Sequence, residues 1–250
     1  MSATQDYLRL IVYAPALVGG DGRPLSIVRG MERALPGLRL EWTTSEKGDL
    51  IALPDRDEWV AADTTDGGFP FLCNDDDDNL MTLTGLENPG DPCDQPQFEV
   101  FARLPLNAAA TSAAVDVLEA VAEGARARWG HLTPFLAAVD IAEQTAPTLA
   151  GPPSPPRGLP ALKLSNKIRS PEIPHRLGWL NYWSADAARA IGFPDPARDA
   201  DLLSRSRRTA TGGWVVWLTD APLDLDNSAH LDALKQAYER FPKIGGRATP

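Results

Sequence analysis

Phe69-Pro70-Phe71-Leu72-Cys73-Asn74-Asp75-Asp76-Asp77-Asp78-Asn79-Leu80-Met81-Thr82-Leu83 is the stretch on which the fold turns. Four adjacent carboxylates repel one another and hold their water, so they can be neither strand interior nor core. They belong on a solvated loop. The apolar runs on either side, Phe69–Leu72 and Leu80–Leu83, then read as two strands of a hairpin with the aspartates at its tip. Strands joined in this way run antiparallel.

Outward from the hairpin, Leu38–Thr43 and Phe98–Leu104 alternate apolar and polar residues and read as half-wet strands. Tyr7–Tyr13 reads as a buried N-terminal strand. Leu25, Val28, Met31 and Leu35 are spaced three and four apart, which predicts a short amphipathic helix stopped by Pro36-Gly37. Ala108–Trp129 is the longest predicted helix, capped by Thr111 or Ser112, with Val115, Leu118, Val121 and Ala125 as its apolar stripe. Further on, Ser184 is placed to cap a helix over Ala185–Ile191. Asp199–Arg208 reads as a short basic helix, Trp214–Leu218 as a β-rich run, and Asn227 or Ser228 as the cap of a last helix ending near Arg240. Strands and helices in this order predict an α+β fold: a mixed, mostly antiparallel sheet with helices packed on it. The run Gly151-Pro152-Pro153-Ser154-Pro155-Pro156-Arg157-Gly158 is neither helix nor central strand. Neither half looks self-sufficient, so the expectation is a single domain over residues 1–250, with a Pro-rich loop or linker near 147–160.

The net charge is −10 over 250 residues, but it is not spread evenly. Residues 41–100 hold 16 Asp and Glu against Lys47 and Arg56, a net of −14, and the remainder carries +4. An acidic region is thus grafted onto a slightly basic body. The charge argues against direct nucleic-acid binding, because phosphates would be repelled. No run of 18 apolar residues predicts a membrane span. The first residues lack the basic and apolar regions of a secretory signal, and the two cysteines, Cys73 and Cys93, make no disulfide framework. The expected compartment is the cytoplasm.

Three readings are open for the Asp75–Asp78 loop: a solvated turn, a Ca²⁺ site, or a docking surface for a basic partner. The spacing lacks the alternating ligands, central Gly and distal Glu of a Ca²⁺-binding loop. An acidic patch, in contrast, speeds association with a positive target. The candidate partner-binding residues are Asp75, Asp76, Asp77 and Asp78, together with Asp63, Asp66, Glu58 and Trp59.

Catalytic signals are sparse. His131, His175 and His230 share no metal-ligand spacing, and no HExxH, CxxC pair, P-loop or GxSxG elbow occurs. Gly19-Gly20-Asp21-Gly22 follows a strand but lacks the GxGxxG spacing of a phosphate loop, and reads as a turn. Cys73 lies beside anions that disfavour its thiolate. No catalytic residue, metal or cofactor is expected. Gly178-Trp179-Leu180-Asn181-Tyr182-Trp183 reads either as a core strand or as an exposed aromatic anchor.

Leu177-Gly178-Trp179-Leu180-Asn181-Tyr182-Trp183-Ser184, Gly192-Phe193-Pro194-Asp195, Gly213-Trp214-Val215-Val216-Trp217-Leu218-Thr219, Pro222-Leu223-Asp224 and Ala237-Tyr238-Glu239-Arg240-Phe241-Pro242 together resemble the immunity protein 52 family. That resemblance covers residues 170–245. It implies a bacterial antidote that binds a cognate toxin, often one with a nuclease domain, and it brings no catalytic residues. A basic, nuclease-like protein toxin is therefore the expected partner, with no nucleic acid and no membrane. An enzyme with an unrecognised site and another acidic interaction module are the alternatives.

Overall fold

A computed structural model describes residues 6–62, 68–89, 96–145 and 155–247. The chain divides into two compact units. Among the described residues the first comprises 6–89 and 96–127, and the second 128–247. Both are α+β, and every strand pairing within either unit is antiparallel.

In the first unit six strands lie in the order β3-β2-β4-β5-β6-β1. They are β1 (Tyr7–Pro15), β2 (Trp42–Thr44), β3 (Leu50–Ala52), β4 (Gly68–Cys73), β5 (Thr82–Asn88) and β6 (Gln97–Pro105). β4 and β5 form the expected hairpin, with Cys73 opposite Thr82 and the aspartates between them. Helices α1 (Arg23–Ala34) and α3 (Ala108–Ala125) pack on each other, and α3 packs on β1 and β6. Two glycines set that closeness: a Cβ on Gly124 would lie 3.0 Å from the Ile27 nitrogen, and one on Gly30 would lie 3.0 Å from the Ala120 carbonyl oxygen. Ile27, Val28 and Met31 of α1 and Ala114, Val117, Leu118 and Val121 of α3 are buried.

Three expectations for this unit need correction. α3 is capped by Asn107, whose Oδ1 accepts the Ala110 N–H at 2.9 Å; neither Thr111 nor Ser112 caps it. The helix stops at Ala125, because Arg126 turns into the left-handed region at φ 51°, so Trp129 belongs to a strand. Leu38 and Leu40 are buried but precede the ladder. Side chains hold that segment instead: Glu32 accepts the Leu40 N–H, and Arg56 donates to the Leu40 carbonyl.

The second unit has four strands in the order β7-β8-β10-β9: β7 (Trp129–Pro134), β8 (Leu180–Trp183), β9 (Ser206–Arg208) and β10 (Trp214–Trp217). Its helices are α4 (Phe135–Glu143), α5 (Ala185–Ile191), α6 (Ala200–Leu203) and α7 (Ser228–Arg240). The short α2 (Arg56–Ala62) belongs to the first unit. Ser184 and Asn227 cap α5 and α7 as expected. The stretch Asp199–Arg208 is not one helix: α6 lasts a single turn and β9 follows. Asp199 is wholly buried, where it accepts the Asp195 N–H and the Arg198 guanidinium. The rings of Trp183, Phe193, Trp214 and Phe241 meet edge to face, with centroids 5.2–6.1 Å apart. β8 is buried at all four residues, so the aromatic run is core and not an exposed anchor. Within the Pro-rich run, Pro156–Gly158 makes a 3₁₀ turn, fastened by Arg157 to Asp140, Asp226 and the Leu225 carbonyl; residues 151–154 lie outside the described residues.

Candidate docking site

The β4–β5 loop starts and ends on asparagines, and they shape it. The Asn74 Oδ1 accepts the Met81 N–H at 2.8 Å, while its Nδ2 donates to the Asn79 carbonyl. At the tip, Asp76 accepts three bonds, from the Asp78 N–H at 3.1 Å, the Asn79 N–H at 3.0 Å and the Asn79 Nδ2 at 3.2 Å. These bonds from Asn79 and Asp78 hold the Asp76 carboxyl below its usual range. Asp76 therefore builds the turn from inside, as an aspartate does when its side chain stands in for a backbone acceptor.

The loop is also tied to the helix layer. The Asn107 Nδ2 donates to Asn79 Oδ1 at 3.0 Å, and the same Asn107 caps α3 with its Oδ1. The acidic run is thus fastened to the N-terminal cap of an 18-residue helix, the end where the backbone dipole favours negative charge. Asp75, Asp76, Asp77 and Asp78 are all exposed. Asp75 and Asp77 make no hydrogen bond or ion pair among the described residues. Behind the loop, burial pushes the Cys73 thiol up and Asp77 adds to the shift, which opposes nucleophilic chemistry there.

The other predicted residues are placed separately. Glu58 is exposed and Trp59 half-buried on α2, and among the described residues neither shares a hydrogen bond or ion pair with the loop. Asp63 and Asp66 lie outside the described residues, as does Cys93. Several acids of the 41–100 region have structural work. Asp57 pairs with Arg29 at 2.5 Å and Arg56 at 2.6 Å; those partners lower its pKa. Glu87 accepts the Leu17 N–H, and Glu99 accepts from Asn88. The residues that sequence reasoning passed over are Asn74, Asn79 and Asn107. The signal for the first two was the pair of asparagines bracketing the aspartates.

The glycine loop after β1 is a turn, and its would-be anion position is filled from within. Asp21 pairs with the buried Arg23 at 2.6 Å, and Arg23 also donates to the carbonyls of Pro15, Ala16 and Ala125. Burial alone would raise the Asp21 pKa, but the bonds from Arg23 win and lower it. His131 and His175 are buried, and His230 accepts the Asp224 N–H. No group of three His, Cys, Asp or Glu suited to a metal occurs among the described residues, nor does a helix long and apolar enough to cross a membrane.

The fold and this loop define a two-unit α+β protein built on antiparallel sheets, with a structured acidic hairpin tip. The chain belongs to the DUF5953 family, a domain of unknown function whose model matches residues 19–249. Among solved structures it is similar to the Pseudomonas aeruginosa T6SS protein PA0821, at 15% identity and a TM-score of 0.55, over 94% of this chain and 73% of that one. At that identity the likeness speaks for the fold. No curated protein matches the sequence.

Proposed function

We propose that this chain is an immunity protein: it binds a cognate protein toxin and neutralises it, with the β4–β5 loop as the docking surface. The observation that carries the reading is the division of labour in the loop. Asp76 is spent on the turn, and the turn holds Asp75 and Asp77 outward with no counter-charge among the described residues. A preorganised acidic tip loses little entropy on binding and steers a basic partner by long-range attraction. Nuclease toxins present basic clefts to phosphate, which makes a nuclease the partner that fits best. The fold likeness to a T6SS protein and the resemblance of residues 170–245 to immunity proteins both support a place in a toxin system. On this reading the protein acts by binding, in the cytoplasm, and needs no active site, metal or cofactor.

The test uses the C-terminal domain of the protein encoded next to this chain, with association followed by stopped flow. The on-rate is expected to fall about 10- to 100-fold between low and high salt. Asp75→Lys with Asp77→Lys should slow association at low salt while leaving the melting midpoint unchanged. A salt-independent on-rate removes the loop as docking face. A toxin domain that stays fully active in the presence of this protein removes the immunity reading itself.

A further inference from the structure

The second unit carries a cleft of about 1150 Å³, which the acidic loop plays no part in. Lys163, Lys167, Arg169 and Lys243 line it, with Ile168, Pro171, Ile173 and Ala190 among its carbon surfaces, and no lining residue carries a carboxylate. Lys163, Lys167 and Arg169 are exposed and make no side-chain hydrogen bond or ion pair among the described residues. Lys243 gives one bond to the Ala190 carbonyl at 2.7 Å, leaving its other two N–H groups for a ligand. Glu172, between the lining residues Pro171 and Ile173, accepts from Ser170.

The wall is built, not draped. The Lys163 N–H donates to the Gly245 carbonyl and the Gly245 N–H to the Pro174 carbonyl, both at 2.9 Å. Gly245 and Gly246 sit at φ +70° and +65°, and a Cβ on Gly246 would lie 3.0 Å from both Ile168 Cγ1 and Lys163 Cδ. Side chains could not replace these glycines without moving the wall. The N–H groups of Lys163, Lys167, Ile168, Ile173 and Gly246 are all used internally. What the cleft offers a ligand is therefore ammonium and guanidinium groups around carbon, with little backbone for pairing an extended peptide. Its volume lies just above the range of about 300–1,000 Å³ usual for small-molecule sites, room enough for a ligand with a hydrocarbon chain.

We propose that this cleft binds a small organic anion with an apolar body: an aliphatic phosphate or carboxylate, head against the cations and chain along Ile168 and Ile173. The same chemistry can come from a soluble metabolite or from a lipid headgroup. Calorimetry on the full chain decides it, with octyl phosphate, inorganic phosphate and 1-octanol as probes. Octyl phosphate should bind on the order of a hundredfold more tightly than inorganic phosphate, since burying about four methylenes is worth that much, and more tightly than the uncharged alcohol. Lys167→Glu with Arg169→Glu should weaken it at least about tenfold, with an unchanged melting midpoint and unchanged 1-octanol affinity. Co-sedimentation with phosphatidylglycerol vesicles separates the sources: charge-dependent sedimentation assigns the lipid, and its absence alongside octyl phosphate binding assigns the soluble ligand. Equal affinity for octyl and inorganic phosphate, no binding at millimolar octyl phosphate, or binding indifferent to the double substitution overturns the proposal.

Discussion

Gly178→Ala places a single methyl group where the second unit has no room for it. Gly178 is buried just before β8, with its N–H donated to Asn181 Oδ1 at 2.9 Å and its carbonyl accepting Asn181 Nδ2 at 3.0 Å. A Cβ there would lie 2.1 Å from Thr133 Oγ1 and 2.9 Å from His131 Cβ. Thr133 Oγ1 already accepts the buried Trp179 N–H at 3.1 Å. The methyl must displace that hydroxyl and leave the N–H without its acceptor. Overpacking costs about 1–3 kcal/mol and an orphaned buried donor about 1–3 more, and since the two overlap we expect a loss of roughly 3 kcal/mol. Urea unfolding followed by tryptophan fluorescence reads it well, because Trp129, Trp179, Trp183, Trp214 and Trp217 all lie in this unit. The midpoint should drop by about 1 M at a slope of a few kcal/mol per molar. Thr133→Ala in the same background removes the clashing atom, so the double variant should be at least about 1 kcal/mol more stable than the two single losses added together. A midpoint shift within error of zero, or strict additivity, would refute the steric reasoning.

Two further outcomes follow from buried and half-built polar groups. His175 is buried against the Trp129 ring, and burial, with a smaller contribution from Arg176, lowers its pKa to about 4 from the ordinary 6.5. The unfolded chain therefore takes up this proton first: the contribution to stability is complete above pH 6.5 and is lost as pH falls towards 4, by about 3 kcal/mol in all. His175→Gln should flatten that part of the urea-midpoint profile, and a variant with the wild-type slope between pH 6.5 and 4 would contradict it. Asp76→Ala should speed amide hydrogen exchange at Asp78 and Asn79, read by NMR, whereas Asp75→Ala and Asp77→Ala should leave those amides as they are; equal effects from all three would mean that Asp76 is not the residue that builds the turn.

The features legible in the sequence were those decided by neighbours along the chain. The aspartate run forced a loop, the flanking apolar runs forced the hairpin, and Ser184 and Asn227 announced the helices they cap. The end of α3 was not legible, because its apolar period runs on through Ala127 to Trp129. The helix is stopped by a left-handed Arg126, a conformation with no sequence mark when the residue is not glycine. β3 and α2 were missed for another reason. They are short, and β3 is wholly exposed, so their pattern carries little burial signal. In the candidate site the charge was plain, but not which carboxylate is already engaged. The bonds that engage Asp76 are local, from Asp78 and Asn79, and four identical side chains in a row carry no mark of which one turns inward; the tie of Asn79 to Asn107, 28 residues away, is a contact that only the fold makes.

The double role of Asn107 bears on how such a surface can diversify. One amide group joins the first turn of α3 to the tip of the hairpin, and Asn74, Asp76 and Asn79 complete the frame. Substitution at these four positions disturbs the scaffold. Substitution at Asp75 or Asp77 changes only what the scaffold shows to the outside. On the proposed docking role, a lineage pursuing a changing adversary could rewrite its recognition letters at two positions while its fold goes on being inherited intact.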